Sequence, residues 1–110
     1  MIPPASVISL SEVLAHQQGA PRSSLLLKEA GGLVSVHAHD ASERVDPHTA
    51  PHPVFLYMLA GEARLCIGER EQLLRAGEAC VIPAHASRAL DGGGPFQYLL
   101  VLLKASDGAA

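Results

Sequence analysis

The residues of this chain that could do chemistry are its histidines, one arginine beside them and two cysteines. His37 and His39 form an H-x-H pair. His48 and His52 follow among prolines, and His85 and Arg88 lie close together further on. On an extended strand, residues two apart share a face at about 6–7 Å. That is close enough for two imidazoles to meet one metal ion at about 2.0–2.1 Å each. His37, His39 and His48 could therefore supply three nitrogen ligands, the number a catalytic site needs. Val34, Val36 and Ala38 occupy the opposite parity, and the simpler reading turns His37 and His39 to solvent or to a partner subunit. His48 and His52 share parity with Val54 and point inward if the strand is regular there. Cys66 and Cys80 lie fourteen positions apart with no C-x-x-C spacing, which excludes a zinc ribbon or redox pair and predicts small buried side chains. No nucleophile elbow, phosphate loop or paired catalytic carboxylates occur. Glu62, Arg64, Glu69, Arg70 and Glu71 read as a solvated charge cluster around a hairpin.

These residues need a scaffold, and the stretch from Pro47 to Arg88 supplies most of it as short strands punctuated by Gly61, Gly68 and Gly77. Upstream, Ser9 and Glu12 have capping-box spacing, and Leu10, Val13 and Leu14 form a short apolar face. A helix of about two turns over residues 10 to 17, stopped by Gly19 and Pro21, follows. Strands are predicted at Ser23 to Lys28 and Leu33 to His39, turned by Gly31-Gly32. The polar run from Asp40 to Pro47 reads as a connecting loop. Val54 to Leu59, Glu62 to Ile67, Gln72 to Leu74 and Glu78 to Ile82 are the next strands. Asp91-Gly92-Gly93-Gly94-Pro95 is a loop, and Phe96 to Leu103 is an apolar strand predicted to be covered on both faces. Without helical crossovers the sheets must be antiparallel, and a barrel or sandwich removes their exposed edges.

Composition sets the outer limits. With 110 residues, 48% apolar and 17% charged, the chain is a single globular domain over 1–110. A net charge of −3 with eight scattered Lys and Arg argues against a nucleic-acid partner. Apolar runs such as Tyr98 to Leu103 fall far short of the roughly 20 residues a membrane-spanning helix needs. The first residues lack an export-signal pattern, and a soluble cytoplasmic protein is expected.

The segment His48 to Arg88 resembles the cupin superfamily of jelly-roll barrels. Two motifs mark that family, G-x5-H-x-H-x3or4-E-x6-G and G-x5-P-x-G-x2-H-x3-N. Gly61 matches the closing glycine of the first, and Gly77 to Pro83 matches the G-x5-P opening of the second without a gap. The resemblance implies an all-β double-stranded β-helix with one short N-terminal helix. It also implies pairing between subunits through sheets, so a homodimer is expected, and the aliphatic Leu25 to Leu27 strand suits an exchange between subunits. The family's metal ligands, three histidines and a glutamate, fall on His48, Ala50, Arg88 and Val54. The second motif's glycine falls on His85 and its asparagine on Gly92. A guanidinium stays protonated and has no lone pair to give, so the inherited metal set is broken.

The sequence-based expectation is a cupin without a standard metal centre and with no cofactor. It holds a small polar or anionic molecule in the barrel, with His48, His52, His85 and Arg88 around the mouth as ligand-binding residues. The same residues can also be solvated rim groups with no ligand. The alternative of another class is a metal-dependent enzyme of oxygenase or isomerase type using His37, His39 and His48.

Overall fold

The computed structural model describes residues 4–15 and 22–104. The chain runs through a helix α1 (Leu10–Ala15) and then strands β1 (Arg22–Glu29), β2 (Gly32–His39), β3 (Arg44–His48), β4 (Val54–Ala60), β5 (Glu62–Ile67), β6 (Arg70–Arg75), β7 (Ala79–Ile82), β8 (Arg88–Asp91) and β9 (Phe96–Leu103). They form a five-stranded sheet in the order β1-β2-β9-β4-β7 and a four-stranded sheet in the order β3-β8-β5-β6. Every strand pair is antiparallel. From β4 onward the chain passes back and forth between the two sheets, which is the jelly-roll winding expected from the sequence.

Glycine spacing explains where the chain turns. Gly61, between β4 and β5, takes a φ of 75°, a left-handed conformation costly for any residue with a Cβ. A Cβ there would also overlap the Pro95 carbonyl oxygen. Gly68 and Gly77 are left-handed too, but the space beside them is open. The β5–β6 hairpin carries the expected surface charges, paired as Arg64 with Glu71 at 2.6 Å and Arg75 with Glu62 at 3.8 Å. Such exposed pairs contribute about 0–1 kcal/mol.

Several expectations need correction. Residues 44–48 are a strand, β3, and not part of a loop: Arg44 pairs with Asp91, Val45 with Leu90 and His48 with Arg88. The strand lies at a sheet edge with a register shift between Val45 and His48, where Pro47 can be accommodated without its missing N–H. The four-residue β8 was hidden between Pro83 and the glycine loop by its brevity. The helix covers Leu10–Ala15, and the expected continuation through residues 16 and 17 lies outside the described residues. At its start the Ser9 hydroxyl hydrogen-bonds that of Ser11 at 3.0 Å, while the Ser9 carbonyl accepts from Val13 N–H at 3.0 Å. Cys66 and Cys80 are free thiols, half-buried and not fully enclosed.

Apolar residues gather in two places. Between the sheets lie Leu56, Met58, Ala63, Leu65, Leu74, Phe96 and their neighbours. On the outer face of the five-stranded sheet, α1 buries Leu14 against Leu26, Val36 and Ala38, with Leu59 and Leu99 beside them. Leu26 falls at the register shift between Leu25 and Leu27, and this extra residue is buried under the helix. The cover thins beyond there, with Val34 at its margin. Leu27, Val34, Val101, Phe55 and Val81 are successive register partners across all five strands, and Leu27, Phe55 and Val81 are exposed. β9 is therefore covered on both faces only over its first half, and Leu103 is exposed.

Candidate functional site

The space between the sheets is not filled at one end. A cavity of about 200 Å³ is lined by His37, Tyr98 and Leu100 from β2 and β9, Val54, Leu56 and Ile82 from β4 and β7, and Val45, His48, Leu65, Arg88, Ala89 and Leu90 from the four-stranded sheet. Three of the four positions where the sequence resemblance places metal ligands, 48, 54 and 88, share this lining. Their occupants are an imidazole, an isopropyl group and a guanidinium.

Arg88 dominates the electrostatics. It sits on β8 opposite His48 and is 6% exposed. Its Nε donates to the Ala86 carbonyl at 3.1 Å and its Nη2 to the Pro83 carbonyl at 3.2 Å. Those two bonds fix the plane of the fork and leave further N–H groups uncommitted, because a guanidinium carries five donors. Among the described residues no carboxylate pairs with it. Burial lowers its pKa from the usual arginine value, yet the side chain stays protonated at any physiological pH.

His48 is exposed at the mouth, and its Nδ1–H donates to the Asp46 carbonyl at 3.0 Å. That assignment leaves Nε2 as the nitrogen free to meet a ligand. His37, which the simpler reading turned to solvent, lines the cavity instead. Its ring stacks on Tyr98 at 4.9 Å, and its Nε2 lies 2.8 Å from the Ser35 hydroxyl. Burial and the neighbouring His39 lower its pKa to about 4. His39 is also buried, 7% exposed, stacked on Phe96 at 4.9 Å and on Tyr98 at 5.6 Å. The reason for both corrections is α1: it covers the Val36 and Ala38 face of β2, so the polar parity of Ser35, His37 and His39 must face the barrel interior.

His39 Nε2 lies 3.2 Å from the Tyr98 hydroxyl, and its Nδ1 is buried with no partner. A buried N–H without an acceptor is rarer than an unused lone pair. The proton therefore belongs on Nε2, donated to the Tyr98 oxygen, which frees the phenolic O–H as a donor. Burial pushes the Tyr98 pKa up to about 12, so the phenol keeps that proton.

The four residues expected around the mouth separate. Arg88 and His48 meet in the cavity lining, whereas His52 and His85 are not among its walls. His52 is half-buried in the bend before β4. His85 is exposed, with a φ of 68°, and its backbone N–H donates to the Ala50 carbonyl at 2.7 Å. It keeps the left-handed turn at the position where the cupin motif has glycine. Sequence reasoning missed Tyr98 as a cavity residue and gave His37 a place beside His48 only in the metal-dependent alternative. The signal lay in the apolar face of α1, which needs an apolar partner and finds it in Val36 and Ala38.

The residues present do not fit the family's metal set. Among the described residues only two imidazoles converge in the cavity, no carboxylate lines it, and a permanently cationic group stands at a ligand position. His39, the third nitrogen of the rearranged alternative, lines a separate hollow with Arg22, Gly61 and Pro95. Among the described residues, no three His, Cys, Asp or Glu side chains group to hold a metal ion. No helix among them is long and apolar enough to cross a membrane.

Comparison with known proteins agrees with the geometry. The cupin domain family matches residues 30–102, and the chain belongs to that family. No curated protein matches the sequence. Among solved structures, the chain is similar to a conserved protein of unknown function from Streptococcus pyogenes, with 26% identity over 96% of this chain and 92% of that one and a TM-score of 0.84. It is also similar to a cupin superfamily protein from Desulfitobacterium hafniense, at 20% identity over 94% and 95% of the two chains with a TM-score of 0.83. A predicted oxalate decarboxylase from Thermotoga maritima shares 17% identity over 91% of this chain and all (100%) of that one, with a TM-score of 0.76. The last two likenesses carry the fold alone.

Proposed function

We propose that this cupin is a binding module that holds a small anion in its barrel without the family's standard metal centre. Arg88 is the anchor, and His48 lines the mouth opposite it. The observation that carries the reading is the state of Arg88, a buried guanidinium bonded, among the described residues, only to the Ala86 and Pro83 carbonyls and facing a cavity. A buried charge without a counterion costs several kcal/mol, and an anion in the cavity offsets that cost. An arginine fork also matches a carboxylate bidentately, in shorter and stronger bonds than neutral groups make.

The test is thermal unfolding of wild type and Arg88→Met in formate, acetate, oxalate, benzoate or phosphate, against chloride at equal ionic strength. At about a hundredfold over its dissociation constant, a bound anion adds about 2.7 kcal/mol. For a domain of this size that raises the Tm of wild type by roughly 10 °C or more, and Arg88→Met should show no rise. If no anion moves the wild-type midpoint, the reading fails.

A second proposal concerns a partner. The apolar row from Leu27 to Val81 crosses the outer face of the five-stranded sheet, bordering the α1-covered cluster at Val34 and exposed at Leu27, Phe55 and Val81. It contains no charge, and a two-fold axis would lay one row on its copy, as an isologous interface requires. We infer a homodimer through this face, with β1 paired to its own β2.

A further inference from the structure

The walls of the cavity narrow the anion further, in an inference that rests on the Arg88 reading above. Apart from Arg88, His37, His48 and Tyr98, the lining is hydrocarbon, contributed by both sheets: Val54, Leu56, Ile82 and Leu100 on one side, Leu65 and Leu90 on the other. Among the described residues neither Asp, Glu nor Lys lines it. A second carboxylate directed away from the Arg88 and His48 side would lie against aliphatic walls, at the cost of burying an unpaired charge. His37 does not relieve this, because it stays neutral at pH 7 and its Nε2 is engaged with Ser35. Size sets the other limit. An apolar cavity of about 150 Å³ holds benzene, so about 200 Å³ admits such a ring with one carboxylate. It falls below the roughly 300–1,000 Å³ of sites for drug-sized ligands.

We propose that the ligand is a monocarboxylate with a compact hydrocarbon body, on the scale of one aromatic ring or a short branched chain. The carboxylate sits on the Arg88 fork and the body lies between Leu56, Leu65, Ile82 and Leu100. The Tyr98 ring, stacked on His37, closes the wall beside it.

Titration calorimetry at pH 7.5 tests this with sodium benzoate, isovalerate, acetate, oxalate and phosphate, and with neutral benzamide. Benzoate or isovalerate should bind wild type at least tenfold more tightly than each of the other four probes. Leu100→Phe, which fills the apolar half and leaves Arg88 in place, should cost benzoate at least tenfold and narrow its advantage over acetate. If oxalate, phosphate or acetate binds as tightly as the larger monocarboxylates, and Arg88→Met abolishes that binding, this inference is wrong while the anion site stands. Benzamide matching benzoate, or no binding by any anion at millimolar concentration, overturns the anion site as well. Unaltered benzoate affinity in a folded Leu100→Phe also overturns the inference.

Discussion

Burial lowers the pKa of both basic groups in this barrel with different outcomes: Arg88 stays charged and His37 is uncharged at neutral pH. The folded chain refuses a proton on His37 until about pH 4, whereas the unfolded chain accepts one near 6.5. Between those values protons favour the unfolded chain. Stability is therefore full above pH 6.5 and falls as the pH drops toward 4, by on the order of 2–3 kcal/mol. His39, its pKa lowered chiefly by burial and partly restored by Glu43 and Asp40, adds in the same direction. Urea midpoints at pH 7.5, 5.5 and 4.5 should fall in that order for wild type, and the slope should shrink in His37→Gln. A wild-type midpoint that stayed level across this range would contradict the placement of His37 in the interior.

The turns make a prediction with two signs. Gly61→Ala meets both a left-handed φ and the Pro95 carbonyl and should cost about 2 kcal/mol or more, whereas Gly68→Ala, with open space beside it, should cost about 1 kcal/mol. His85→Gly should go the other way and stabilise by about 0.5–1 kcal/mol, because it relieves a left-handed backbone at a residue with a Cβ. Equilibrium urea unfolding of the three variants separates these outcomes. Glycines and alternating apolar runs are also what made β4 to β7 and β9 readable from the chain. β3 and β8 escaped because edge and linking strands of four or five residues carry polar sequences, and their pairing to one another is a tertiary fact. Arg88 and His48 were legible as site residues through motif position. His37 was legible only as a ligand of the metal-dependent alternative, since deciding which parity of β2 faces inward requires knowing which side the helix covers. His52 and His85 share the rim segments with the site residues, but the prolines around His52 and the left-handed turn at His85 take both away from the cavity.

For the assembled molecule, the exposed row on the five-stranded sheet predicts association. Light scattering should give wild type at twice the chain mass, and Val81→Glu, which places a charge in the row, should run as a monomer with an unchanged anion response. A monomeric wild type at tens of micromolar would remove the dimer proposal and leave the cavity untouched. The order β1-β2-β9-β4-β7 has one more result. The central strand is the last one along the chain, so β2 and β4, which flank it in the sheet, have nothing to bond between them until residues 96–103 arrive. A growing polypeptide therefore cannot close this domain on the ribosome before its ninth strand clears the exit tunnel. Every earlier length leaves two unsatisfied strand edges beside an apolar interior, and such edges invite aggregation.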